Sequence, residues 1–166
     1  MAPAPRPIPP KPGQESVWDY PRPAICAPTP LRLKVEFAGR VIADTARGQR
    51  TLETSHPPTY YIPPEDIAAG VLQPNAERSL CEWKGQARYF DVVVDGKIAA
   101  KAAWSYPDPT PGFVALRDHV AFYPGAMDAC FVGGEQVEPQ PGGFYGGWVT
   151  SHVAGPFKGG PGSWGW

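Results

Sequence analysis

The sequence predicts a mainly β fold: compact antiparallel sheets, one short helix, and long irregular segments at both ends. Three observations carry this. The chain holds 23 Pro and 19 Gly among 166 residues, roughly twice average usage, which excludes a helical bundle or a coiled coil. In Leu31-Arg-Leu-Lys-Val-Glu-Phe37 apolar and charged residues alternate without a break, the period-two mark of a half-buried strand. Asp95-Gly96 then joins two apolar runs, and Asp-Gly is a preferred two-residue type I′ hairpin turn.

Ten prolines fall within residues 1–30. Proline removes backbone donors and biases the chain toward polyproline II, so neither a helix nor a central strand is expected there. Residues 1–14 read as a disordered arm. Glu15-Ser-Val-Trp-Asp-Tyr-Pro-Arg-Pro23 is different: Val17, Trp18 and Tyr20 carry too much apolar surface to leave in water, at about 25 cal/mol per Å².

A single β domain is expected over residues 15–130. After the strand at Leu31–Phe37, Ala38-Gly39 turns into Val41-Ile42-Ala43. Two short strands follow, Thr51–Glu53 and Thr59–Ile62. Pro63-Pro64-Glu65-Asp66-Ile67 has proline in the first turn and acids near the positive dipole end, a helix start, with Gly70 as its stop. The second hairpin pairs Arg88–Val94 with Lys97–Trp104. Placing Val94 opposite Lys97 puts Tyr89, Asp91, Val93, Ile98, Ala100, Ala102, Trp104 and Tyr106 on one face, where small alanines beside large aromatics leave a hollow. His119–Tyr123 is the last strand expected.

From Phe131 to Trp166 there are eleven glycines and seven aromatics in 36 residues. Flexible linkers are Ser-rich and aromatic-poor, so residues 131–166 read as a tail docked on the domain by its aromatic side chains.

Charge is balanced, with 15 basic and 16 acidic residues, which gives no electrostatic case for nucleic acid or a membrane surface. No apolar run of membrane-spanning length occurs. Three well-separated cysteines, Cys26, Cys81 and Cys130, do not make a disulfide framework. The expectation is a cytoplasmic monomer or weak homo-oligomer with reduced thiols, neither metal nor cofactor, and a small-molecule ligand.

Nucleophile-elbow, Walker A and zincin motifs are all missing. Phe157-Lys-Gly-Gly-Pro lacks the spacing of a phosphate loop, and the cysteines and histidines lack the clustering that zinc requires. The remaining candidates are aromatic and cationic. Cys81 and Lys84 lie three apart in Leu80-Cys-Glu-Trp-Lys-Gly85, where the ammonium could favour a thiolate; the alternative is a structural cysteine beside a solvated lysine. Tyr61, Tyr89, Trp104, Tyr106 and Tyr123 read either as core or as pocket wall. Arg22, between two prolines, reads as an anion contact or as an ordinary surface residue.

Six segments resemble the ordered motifs of domain-of-unknown-function family 427: Glu15–Pro23, Gly39-x-x-Ile-Ala-Asp-Thr45, Tyr60-Tyr-Ile-Pro63 with Asp66, Cys81-x-x-Lys-Gly85-x-Ala-x-Tyr89, Ala103-Trp-x-Tyr106 and Val120–Tyr123. The family occurs in bacteria and fungi, and the tail is similar to that of its long forms. The resemblance implies a β-tent, or Mss4-like, architecture. By motif position it also implies a ligand pocket formed by Trp18, Tyr20, Arg22, Tyr61, Cys81, Lys84, Trp104, Tyr106 and Tyr123. Members are sometimes labelled nucleotidyltransferases, yet the Gly-Ser and Asp-x-Asp signature of such enzymes is missing here. A small-molecule-binding domain is therefore the first functional expectation. An enzyme acting through Cys81 or Lys84, with a nucleotide-related transferase as one form, is the alternative.

Overall fold

The computed structural model describes residues 5–166; the expectation for the first four residues of the arm lies outside them. Fifteen strands follow in chain order. The first four are β1 (Glu15–Ser16), β2 (Ile25–Pro28), β3 (Leu33–Phe37) and β4 (Arg40–Thr45). β5 (Gln49–Leu52), β6 (Thr59–Tyr61), β7 (Leu72–Cys81), β8 (Gly85–Val94), β9 (Lys97–Ser105) and β10 (Val120–Phe122) come next. The last five are β11 (Ala129–Val132), β12 (Glu135–Gln136), β13 (Glu138–Pro139), β14 (Trp148–Val149) and β15 (Val153–Ala154).

The alternation read at Leu31–Phe37 is realised in β3, where Leu33, Val35 and Phe37 are buried and Lys34 and Glu36 are half-buried. Ala38 and Gly39 both take positive φ, 53° and 75°, the I′ geometry that suits the twist of a two-residue hairpin. β3 lies between β4 and β11 in a four-stranded sheet ordered β12-β11-β3-β4. The expected boundary at residue 130 therefore falls inside a strand, β11, whose Cys130 pairs with Val35.

A second four-stranded sheet is ordered β10-β9-β8-β7. Its Asp95-Gly96 turn sets Val94 opposite Lys97 and Val93 opposite Ile98, as the sequence predicts. The expected single face does not continue, because a bulge lies beyond Val92. Lys101 takes φ 53° there. The Asp91 carboxylate holds the bulge, accepting from Lys101 N and Asn75 Nδ2, both at 2.8 Å. Beyond it Tyr89 pairs with Trp104, while Ile98 near the turn is solvent-exposed.

The two four-stranded sheets share one core, built on Leu33, Val35, Ile42, Val92, Phe122 and Val132. Val137 and Trp148, from the glycine-rich segment, belong to the same core. Trp148 is completely buried, and its indole N–H donates to Phe122 O at 3.0 Å. A three-stranded sheet, β2-β5-β6, joins the second sheet through the Ile62–Val120 bridge.

The helix start at Pro63–Pro64 makes one 3-10 turn, Pro64–Asp66, rather than two α turns. Ile67 is already extended and donates back to Pro64 O. Thr45 and Arg47 hold the Asp66 carboxylate, so its charge serves the loop after β4 instead of a longer helix. The arm is laid against the far end of the chain: Ile8 N donates to Gly155 O, and Gln14 Nε2 to Ser151 O. Among the described residues no helix is long and apolar enough to cross a membrane.

Candidate functional site

A second apolar cluster lies apart from the main core. It contains Ala24, Tyr61, Ala87, Trp104, Tyr106 and Phe113, with Cys26, Cys81, Trp83, Tyr89 and Tyr123 partly buried against it. The strand register explains the gathering. Pairing across β8, β9 and β10 sets Tyr89, Trp104 and Ala121 side by side, and small Ala121 and Ala87 leave room for the large rings. Trp104 meets Tyr123 at 4.6 Å between centroids and Tyr61 edge-on at 6.5 Å. Tyr106 lies 6.3 Å from Tyr61. Burial pushes the phenols of Tyr61, Tyr106 and Tyr123 above the ordinary tyrosine range, so each stays a neutral hydroxyl.

Over this cluster opens a cleft of about 1040 Å³. One wall is the β7–β8 turn, where Cys81 pairs with Gly85. Gly85 has φ +110°, and a Cβ there would approach Asp108 O at 3.1 Å, so both conformation and space require glycine. Thr110 anchors the turn, its N–H donating to Lys84 O at 3.0 Å and its hydroxyl to Trp83 O. Within the turn Lys84 Nζ lies 3.7 Å from Cys81 Sγ and 6.0 Å from the centre of the Phe113 ring. Burial pushes the other two thiols up, Cys26 to about 11 and Cys130 to about 12.

The facing wall was not foreseen. It consists of Glu53 and His56 together with Gln140, Tyr145, Gly146 and Lys158. Gly147 N donates to Gln140 Oε1 at 3.1 Å, which fixes the amide's orientation. Its NH2 therefore points at Lys158 O (2.8 Å) and His56 Nδ1 (3.0 Å). His56 Nδ1 accepts, so in the neutral ring the proton sits on Nε2, 3.4 Å from Glu53 Oε2. Burial pushes Glu53 up, but His56, Lys84 and Lys158 outweigh it and hold the carboxyl below its ordinary range. Tyr145 closes edge-on over His56 at 4.7 Å.

Of the residues expected to form a pocket, Tyr61, Cys81, Lys84, Trp104, Tyr106 and Tyr123 line this cleft, and Trp18, Tyr20 and Arg22 do not. Trp18 and Tyr20 belong to a third cluster with Val17, Leu52 and Val153. There the Trp18 indole donates to Pro156 O at 2.9 Å and the Tyr20 hydroxyl to Glu15 at 3.0 Å. Their aromatic surface is spent on packing the two ends of the chain together. Arg22 is exposed on the loop that follows. The one signal for the missed wall was the Glu53-x-x-His56 spacing; nothing in the sequence links Gln140 to His56 across 84 positions. Among the described residues no three of His, Cys, Asp and Glu gather as metal ligands.

A family model described as a domain of unknown function, DUF427, matches residues 25–133. The chain belongs to the DUF427 family. The DUF427 match runs from β2 to just past β11, so it includes Tyr61, Cys81, Lys84, Trp104, Tyr106 and Tyr123. It begins after Trp18, Tyr20 and Arg22, and it ends before Gln140, Tyr145 and Lys158. The cleft is thus a DUF427 surface on one side and a wall of later residues on the other. No curated protein matches the sequence.

Proposed function

We propose that this DUF427 chain binds a small organic molecule in the cleft, with a flat face of the ligand against the half-buried rings of Tyr89 and Tyr123. The observation that supports the reading is the composition of the cleft itself. A space of about 1040 Å³ has aromatic rings in its walls and polar side chains around them, among them Glu53, His56, Lys84, Lys101, Gln140 and Lys158. Binding sites for small molecules are concave, mainly apolar and carry a small number of placed polar groups. Glu53 offers a fixed acceptor and Lys84 a cation, so the site suits a ligand with polar groups at its edge.

A second reading is favoured by one distance, the 3.7 Å between Cys81 Sγ and Lys84 Nζ. An ammonium beside a thiol promotes the thiolate, the form that acts as a nucleophile. On that reading the cleft is an active site, with a nucleotide-related transfer as one possible reaction.

Thermal-shift screening against nucleotides, quaternary amines and metabolites tests the binding reading. A true ligand raises the melting temperature with the logarithm of its concentration above Kd. Tyr123→Leu and Lys84→Met should each reduce that rise. If no compound stabilises the protein at millimolar concentration, or if both variants respond like the parent, the reading is wrong.

A further inference from the structure

Strand pairing sets Arg78 of β7 directly opposite Arg88 of β8. Like charges directly opposed on a sheet repel and destabilise it. Three other arginines are hydrogen-bonded to acids, Arg32 to Asp44, Arg47 to Asp66 and Arg50 to Glu15, whereas the exposed Arg6 and Arg22 have no acid within reach among the described residues. Neither Arg78 nor Arg88 has an acidic partner among the described residues. Arg78 turns one Nη onto the carbonyls of Asn75 and Glu77, each at 2.7 Å. The Arg88 guanidinium lies 5.4 Å from the centre of the Phe90 ring, and its Nε is buried with no hydrogen-bond acceptor. A donor of a charged group left in that state costs more than a neutral one.

Both side chains line a hollow of about 280 Å³, together with Gln86, Ala87, Pro107 and Asp108. The hollow has no lining residue in common with the aromatic cleft. The acid in its wall is turned away: the Asp108 side chain is 99% exposed and lies 3.9 Å from Arg117. What the hollow lacks is negative charge with several acceptor atoms.

We propose that the Arg78–Arg88 hollow is a binding site for a phosphate group, either free or carried on a small ester. Planar guanidinium forks match phosphate oxygens two at a time, and the Gln86 amide can add a further donor. A bound phosphate would lie between the two like charges and offset their repulsion.

The test uses the full chain, with melting followed in inorganic phosphate and in sodium chloride of equal ionic strength. Phosphate should raise the midpoint by several degrees more than chloride. Phenyl phosphate matching or exceeding inorganic phosphate would identify an ester as the source; a weaker effect would identify the free ion. Arg88→Met should abolish the phosphate increment and melt no lower than the parent in chloride, since it removes the unpartnered donor. Arg78→Gln keeps the core intact and should weaken phosphate binding about tenfold, the equivalent of one charge-assisted hydrogen bond. Midpoints that follow ionic strength alone would overturn the proposal. So would an increment that survives both substitutions.

Discussion

Gly146 rests its backbone on the indole of Trp104 so closely that a methyl group at Gly146 would overlap the six-membered ring. The far wall of the cleft is therefore set by the absence of a side chain. Gly146→Ala must push either the loop or the indole aside. Forced overpacking costs about 1–3 kcal/mol, and each kcal/mol shifts the melting temperature of a chain this size by about 2–4 °C. Melting curves and the Trp fluorescence maximum should both move. A variant with unchanged melting and emission would show that the loop does not rest on Trp104.

Trp148 makes a related case in the main core. It is fully buried between β13 and the ring of Tyr60, 5.3 Å away. Trp148→Ala should destabilise by about 3–5 kcal/mol. Trp148→Phe keeps most of the apolar surface but leaves Phe122 O without its donor, and should cost less, about 1–3 kcal/mol. Denaturant titration separates the two. Equal small losses would mean that the last quarter of the chain contributes little to the fold.

Thiol reactivity separates the two functional readings. Cys26 and Cys130 are suppressed by burial, to about 11 and about 12, so near pH 8 only about one molecule in a thousand or fewer carries either thiolate. Cys81 lines the cleft beside Lys84 and should be alkylated first by iodoacetamide, as read by mass spectrometry. Lys84→Met should slow it. If Cys81 labels only after denaturation, it is a structural residue and the nucleophile reading falls.

Acid should loosen the join between the ends of the chain and the domain. Arg50 grips the Glu15 carboxylate at 2.7 and 3.1 Å and is the main reason that Glu15 lies below its ordinary 4.5. A carboxyl depressed in the folded state adds stability above its unfolded value, and that stability is lost as pH falls through the folded one. The pair is partly exposed, so its worth is about 0.5–1 kcal/mol. Glu15→Gln should remove that amount at pH 7 and flatten the fall in stability below about pH 4.5, while still accepting from the Tyr20 hydroxyl. A pH–stability curve parallel to the parent's would contradict this.

Local signals in the sequence were faithful where local physics dominates. The alternation in β3 and the turns at Ala38-Gly39 and Asp95-Gly96 are fixed by neighbouring residues, and they formed as read. β2 was hidden by its prolines. β7 was hidden because its burial pattern has no clean period: it is an edge strand with most side chains in water. The bulge beyond Val92 depends on Asp91 finding Asn75 and Lys101, contacts that no local pattern announces.

By itself the sequence determined that this protein is mainly β, that Asp95-Gly96 closes a hairpin, and which aromatic side chains were available for a hollow. Only tertiary structure decided which of them met. Tyr61, Trp104, Tyr106 and Tyr123 share a cleft because β6, β9 and β10 come together there, whereas Trp18 and Tyr20, equally aromatic, are consumed in packing against Val153 and Pro156. The pairing of His56 with Gln140 and the opposition of Arg78 to Arg88 belong to the same class. Hydrogen bonds and charge contacts act over a few ångströms, and chain separation does not limit them once the strands have paired.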